Sequence, residues 1–140
     1  MKENKKIKIK SSTGFSLIEL LVVVAIIGIL SSIGVVSYNG YVSGTKQKSA
    51  ENAMQQISLA QIEYYSDYGE YHTGTETGSC DPDSATSDAI EANLFGGGDI
   101  ISKAVGYNMC IVKDGASFIV IATNGDKILT MTANGNLERE

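Results

Sequence analysis

The sequence predicts an α+β chain, with a long N-terminal helix packed on a small antiparallel C-terminal sheet of about three to four strands. Three observations predict it. An almost unbroken apolar run covers residues 15–36, a helical spacing of apolar residues continues from Ala50 to Tyr68, and the last third alternates β-branched segments with Asp-Gly and Asn-Gly turns. At 140 residues there is room for one domain.

The first element is basic. Lys2, Lys5, Lys6, Lys8 and Lys10 stand against Glu3, a net of +4, whereas the rest of the chain carries 6 Lys and Arg against 15 Asp and Glu. A body this acidic speaks against nonspecific nucleic-acid binding, because phosphate affinity comes mostly from Lys and Arg. From Phe15 to Val36 only Glu19 is charged. As a helix this stretch would measure about 33 Å, enough to cross a bilayer core. The lysines before it would hold the N-terminal flank in the cytoplasm and leave everything after Val36 outside.

Glu19 is the anomaly. A carboxylate in a membrane span costs roughly 2.5–3.5 kcal/mol at the bilayer centre, so it is a functional candidate whose partner has to be named. An ordinary secretory signal peptide cut near Ser32 and Gly34, or a plain single-span anchor, gives it no purpose. A cut between Gly14 and Phe15 does. It creates an α-amino group four residues before Glu19, on the same helix face. A neighbouring subunit shifted along the axis could also bring its own Phe15 ammonium to the carboxylate. Glu19 would then pin the register, costly alone and satisfied only in the assembled state.

The helix is expected to continue. Ala50, Ala53, Met54, Ile57, Ala60, Tyr64 and Tyr68 share one face, with Lys46, Lys48, Glu51, Gln55 and Glu63 on the other and Gly69 as the stop. A helix from Phe15 to Tyr68 would be about 80 Å long. The tyrosines at 64, 65, 68 and 71 read as core packing and an amphipathic rim. Residues 70–103 read mostly as loop, with Asp88 and Glu91 forming the capping box of a short helix that ends at Gly96. The glycines at 96–98 read as a turn, since no phosphate-loop context surrounds them. YNMCIVK, SFIVIAT and KILTMTA then read as three strands joined by two hairpins.

Little here suggests chemistry. Cys80 and Cys110 lie in the exported part, where such a pair usually becomes a disulfide, contributing on the order of 3 kcal/mol. Two unpaired structural thiols are the alternative, and the lack of a CxxC speaks against a redox pair. Asp81 and Asp83 could face a Ca²⁺ ion, but the loop lacks the glycine and terminal glutamate of an EF-hand. His72 has no nameable partner, and the serines lack a nucleophile elbow. The expectation is a protein without an active site, a metal or any other cofactor.

The stretch TGFSLIELLVVVAIIGILSSIG resembles the N-terminal signature of type IV prepilins and the related pseudopilins, and AQIEYYSDYGEY is similar to segments that end the long helix in that family. The resemblance implies the type IV pilin fold, cleavage by a prepilin peptidase after Gly14, N-methylation of Phe15 and a role in assembly for Glu19. It implies residues 1–14 as leader, 15–36 as transmembrane and filament-core helix, 37–69 as the amphipathic half of that helix, and 70–140 as head. It further implies identical or related subunits in a helical filament as partners, with the inner-membrane assembly machinery. The precursor would sit in the inner membrane and the product in an extracellular pilus. Some pseudopilins bind Ca²⁺ in the C-terminal region, which keeps that ion as an alternative. Many pilins carry a proline where this chain has Val36, so whether the helix kinks or melts between Gly28 and Gly40 stays open. A minor pilin or secretion pseudopilin is the alternative within the family. Outside it stands a secreted binding protein with an ordinary signal peptide.

Overall fold

The computed structural model describes residues 14–74, 78–101 and 105–140. The segment expected to be a basic leader, residues 1–14, lies outside them apart from Gly14. The element order is α1 (Leu17–Tyr68), α2 (Ser84–Leu94), β1 (Asn108–Asp114), β2 (Ser117–Thr123), β3 (Ile128–Thr132) and β4 (Leu137–Arg139). The chain divides into two compact units, one ending at Gly40 and one covering Tyr41–Glu140. Helix α1 is assigned without a break through Gly28, Gly34 and Gly40. Each glycine costs about 1 kcal/mol relative to alanine, and the helical state tolerates all three.

In the second unit the four strands form one antiparallel sheet in the order β1-β2-β3-β4. Asp114 pairs with Ser117 across a two-residue loop, and Thr123 pairs with Ile128 across a four-residue one. In the second loop Asn124 Oδ1 accepts from the backbone N–H groups of Asp126 (3.1 Å) and Lys127 (2.9 Å), which is why asparagine begins it. The fourth strand is the extra one. A second Asn-Gly, at 134–135, turns the chain so that Leu137 pairs with Met131 and Arg139 with Leu129.

Strand β2 alternates strictly, with Phe118, Val120 and Ala122 buried. These side chains share one core with Ala50, Ala53, Met54 and Ile57 of α1, Ile90 of α2, and Met109, Ile111, Leu129 and Met131 of the neighbouring strands. The apolar spacing of α1 therefore buries as expected as far as Ile57. Beyond it Tyr64 is only half-buried and Tyr68 is exposed. The tyrosines form a rim instead, Tyr64 against Tyr68 at 4.4 Å between ring centroids and Tyr65 against Tyr71 at 4.6 Å, with Tyr71 reaching the core through Phe118 at 4.9 Å.

Two polar residues of α1 are buried in ways the spacing did not foretell. Gln61 is 0% exposed. Its amide donates to the carbonyl of His72, and its Oε1 accepts from the His72 N–H at 2.8 Å, tying the returning chain to the helix. Glu51, expected on the solvent face, is 7% exposed. It accepts from Arg139 Nε at 2.9 Å, Lys48 Nζ at 2.7 Å and Gln47 Nε2 at 3.2 Å. A cation from the C-terminal strand makes that burial tolerable, and the sequence spacing of α1 alone cannot show it.

The capping box expected at Asp88 and Glu91 is displaced. Helix α2 is capped by Asp83, whose Oδ1 accepts from the Thr86 N–H at 2.7 Å while Thr86 Oγ1 accepts from the Asp83 N–H at 2.9 Å. Threonine replaces the usual Glu or Gln of the motif and also donates to the Met109 carbonyl at 2.8 Å, anchoring α2 on β1. Glu91 instead points out of the helix end, where Oε1 accepts from the N–H groups of Ile100 (3.0 Å) and Ile101 (2.6 Å). The chain reaches that position through Gly96, Gly97 and Gly98, all with positive φ of 74°, 91° and 120°, which L-residues with side chains rarely adopt. Cys80 and Cys110 form a disulfide with Cα atoms 6.3 Å apart, joining the connector to β1.

Two outcomes follow for the second unit. Arg139, then the neighbouring Lys48 and Gln47, hold the Glu51 carboxyl down at about 2 against its ordinary 4.5, with burial opposing them. Its contribution is present above pH 4.5 and lost as the pH falls towards 2. Because both cations are partly solvated, the loss should be about 1–2 kcal/mol, and Arg139→Ala should flatten it. Denaturant unfolding between those pH values checks this; an equally steep acid loss in Arg139→Ala would refute the assignment. Cys80→Ser should lower stability by about 3 kcal/mol under oxidising conditions, and an unchanged thermal midpoint would show that the cross-link contributes nothing.

Candidate assembly site

Every described side chain from Gly14 to Gly40 is exposed. Helix α1 is long and apolar enough to cross a membrane. Phe15, Leu17 and Ile18 are 83%, 81% and 69% exposed, so they are not packed into an apolar core among the described residues. A Cβ placed on Gly14 would meet nothing within 4 Å, and Gly14 does not have positive φ. Neither packing nor backbone geometry among the described residues demands glycine there.

Glu19 has a partner that the sequence reading overlooked. Ser16 caps the helix, its carbonyl accepting from the Leu20 N–H at 3.3 Å. Glu19 Oε2 accepts from the Ser16 N–H at 2.8 Å and from Ser16 Oγ at 2.6 Å, and Ser16 Oγ accepts from the Glu19 N–H at 3.3 Å. This is a reciprocal capping box, Ser-Leu-Ile-Glu, at the first turn of α1. A carboxylate here also meets the positive end of the helix dipole. Glu19 thus has hydrogen-bond partners within its own chain, which the expectation of a partner in a neighbouring subunit did not include. A cap of this kind is worth about 0.5–2 kcal/mol. The signal was legible as S-x-x-E ahead of an apolar run. Only Oε2 is engaged, and Oε1 has no partner among the described residues.

The other sequence candidates lie apart from this site. Asp81 and Asp83 are exposed, and the Asp83 carboxylate is taken up by the Thr86 N–H, which holds it below the usual range. His72 is half-buried beside Tyr64, at 5.6 Å between ring centroids, and burial pushes its imidazole down. Among the described residues no group of three or more His, Cys, Asp or Glu is placed to hold a metal ion.

Residues 9–35 match the family model described as the prokaryotic N-terminal methylation motif. The chain is 31% identical over 143 aligned positions to the type IV major fimbrial protein FimA of Dichelobacter nodosus, covering 91% of this chain and 86% of that protein. The chain belongs to the type IV pilin family. It is also 46% identical over 56 residues to the fimbrial protein EcpC of Eikenella corrodens, and 38% identical over 58 residues to the type IV major pilin protein PilA of Myxococcus xanthus. Those two matches span 40% and 41% of this chain but only 37% and 26% of the relatives. No solved structure matches it at a significant level. The long helix and four-stranded antiparallel sheet are those of the type IV pilin fold.

Proposed function

We propose that the chain is the structural subunit of a type IV pilus, made as a membrane-anchored precursor, cleaved after Gly14, methylated at Phe15, and packed into a filament through residues 15–36. The observation that carries this reading is an apolar helix start, exposed throughout, with a capped carboxylate in its first turn and one oxygen of that carboxylate still open. A glycine that the described fold does not require, immediately before Phe15, supports recognition by a processing enzyme. The role is assembly and not catalysis.

The proposed mechanism follows from the surroundings. Leaving lipid for an equally apolar bundle gains little hydrophobic free energy, so packing and polar contacts must select the arrangement. Cleavage frees the Phe15 ammonium. Ser16 holds Glu19 Oε2, and Oε1 takes the ammonium of an adjacent subunit in a low-dielectric setting where an unpaired charge is heavily penalised. The prepilin peptidase and the inner-membrane assembly machinery are the further partners, with the leader cytoplasmic and the head outside. The full-length similarity to FimA, named a major fimbrial protein, favours a main subunit over a minor one.

Glu19→Ala removes the pairing and the cap, whereas Ser16→Ala removes the side-chain half of the cap and leaves the carboxylate. With each variant as the sole source of subunit, Glu19→Ala should be inserted and cleaved yet yield at least tenfold fewer sheared filaments, with Ser16→Ala between it and the wild type. Wild-type filament yield from Glu19→Ala would sink the pairing mechanism.

A further inference from the structure

At the far end of α1 the second unit carries an open groove of about 250 Å³ between the helix end and the β1–β2 hairpin. Tyr65 and Tyr71 line it with their rings 4.6 Å apart, and Tyr65 remains 47% exposed. Glu70, Lys113, Thr73 and Ser117 line the same groove. None of those four side chains has a hydrogen-bond or ion-pair partner among the described residues.

The edge of the sheet opens in the same place. Along the outer side of β1, Met109 is paired with Ser87 and the Ile111 carbonyl with the Gly74 N–H at 3.0 Å. By the two-residue alternation of a strand, Lys113 is next on that side, and its N–H and C=O have no partner among the described residues. Donors and acceptors in nearly equal number thus ring an aromatic surface, and the charged pair sums to zero.

We propose that this groove binds a neutral saccharide. A sugar ring offers apolar C–H faces to stack on tyrosine and hydroxyls that both donate and accept, matching a groove lined by one acidic, one basic and two hydroxyl-bearing residues beside two tyrosines. A charged ligand would leave either Glu70 or Lys113 unmatched. A purely apolar ligand would bury unpaired polar groups at a cost. The inference goes beyond the subunit role and does not depend on it, since the groove belongs to the second unit and uses none of residues 14–36.

The test is an amide NMR titration of the full chain in detergent with glucose, galactose and N-acetylglucosamine separately. At least one sugar should give saturable shifts centred on Tyr65, Lys113 and Gly115. Tyr65→Ala should weaken binding at least tenfold, whereas Tyr65→Phe, which keeps the ring, should bind like the wild type. Thermal unfolding of Tyr65→Ala close to the wild type establishes that the loss is not misfolding. Saturable shifts with none of the three sugars would overturn the proposal. So would saturation only by an extended peptide such as acetyl-Val-Thr-Val-amide, which would assign the groove to strand addition on β1.

Discussion

Residues 15–36 carry an apolar surface that is exposed among the described residues, and much else about the protein answers to that fact. Side chains such as Phe15 and Leu17 are more than four-fifths exposed, a state that water does not tolerate over so long a stretch. Lipid and copies of itself are the surroundings proposed for this segment. Neither environment distinguishes one apolar side chain from another by much, so specificity falls to the few polar atoms present. The capping box between Ser16 and Glu19 is the main such feature at the helix start. It gives the carboxylate a partner within its own chain and leaves its Oε1 without one among the described residues.

The second unit solves a different problem. A small head must hold a short sheet against a helix with a limited core, and it does so by fastening the connector at several points. Gln61 clips His72, Thr86 and Ser87 pin α2 to Met109, Glu91 gathers Ile100 and Ile101, and the disulfide joins Cys80 to β1. Glu51 and Arg139 tie the last strand to the helix. Each joins different segments of the chain through a polar or covalent group, which suits a domain whose apolar area alone would leave it marginal.

Much of this was legible in the sequence because period and punctuation are local. The spacing from Ala50 to Ile57, the strands around Cys110 and Val120, and the stop at Gly69 all follow from patterns a few residues long. The apolar run with Glu19 and the Gly14-Phe15 junction stood out for the same reason. What was misread depended on partners distant in sequence or on a cap of less common type. Glu51 looks solvated until Arg139, 88 residues later, is brought beside it. Gln61 looks like an interruption of the apolar face until His72 folds back. Asp83 reads as a loop acid or ion ligand because its box closes with threonine instead of glutamate. Ser16 reads as one more small residue before an apolar run until its hydroxyl and N–H are seen to hold the Glu19 carboxylate. The groove at Tyr65 needs the hairpin and the helix end together, which no local pattern announces.

The account turns on how the chain begins once it has been processed. Mass spectrometry of the N-terminal peptide, from material sheared off cells and from washed envelopes, tests this most directly. The account predicts a peptide that starts at methylated Phe15 and is abundant in the sheared fraction. A peptide starting near Val35 would contradict it, because Ser16 and Glu19 would then be discarded before any filament could use them.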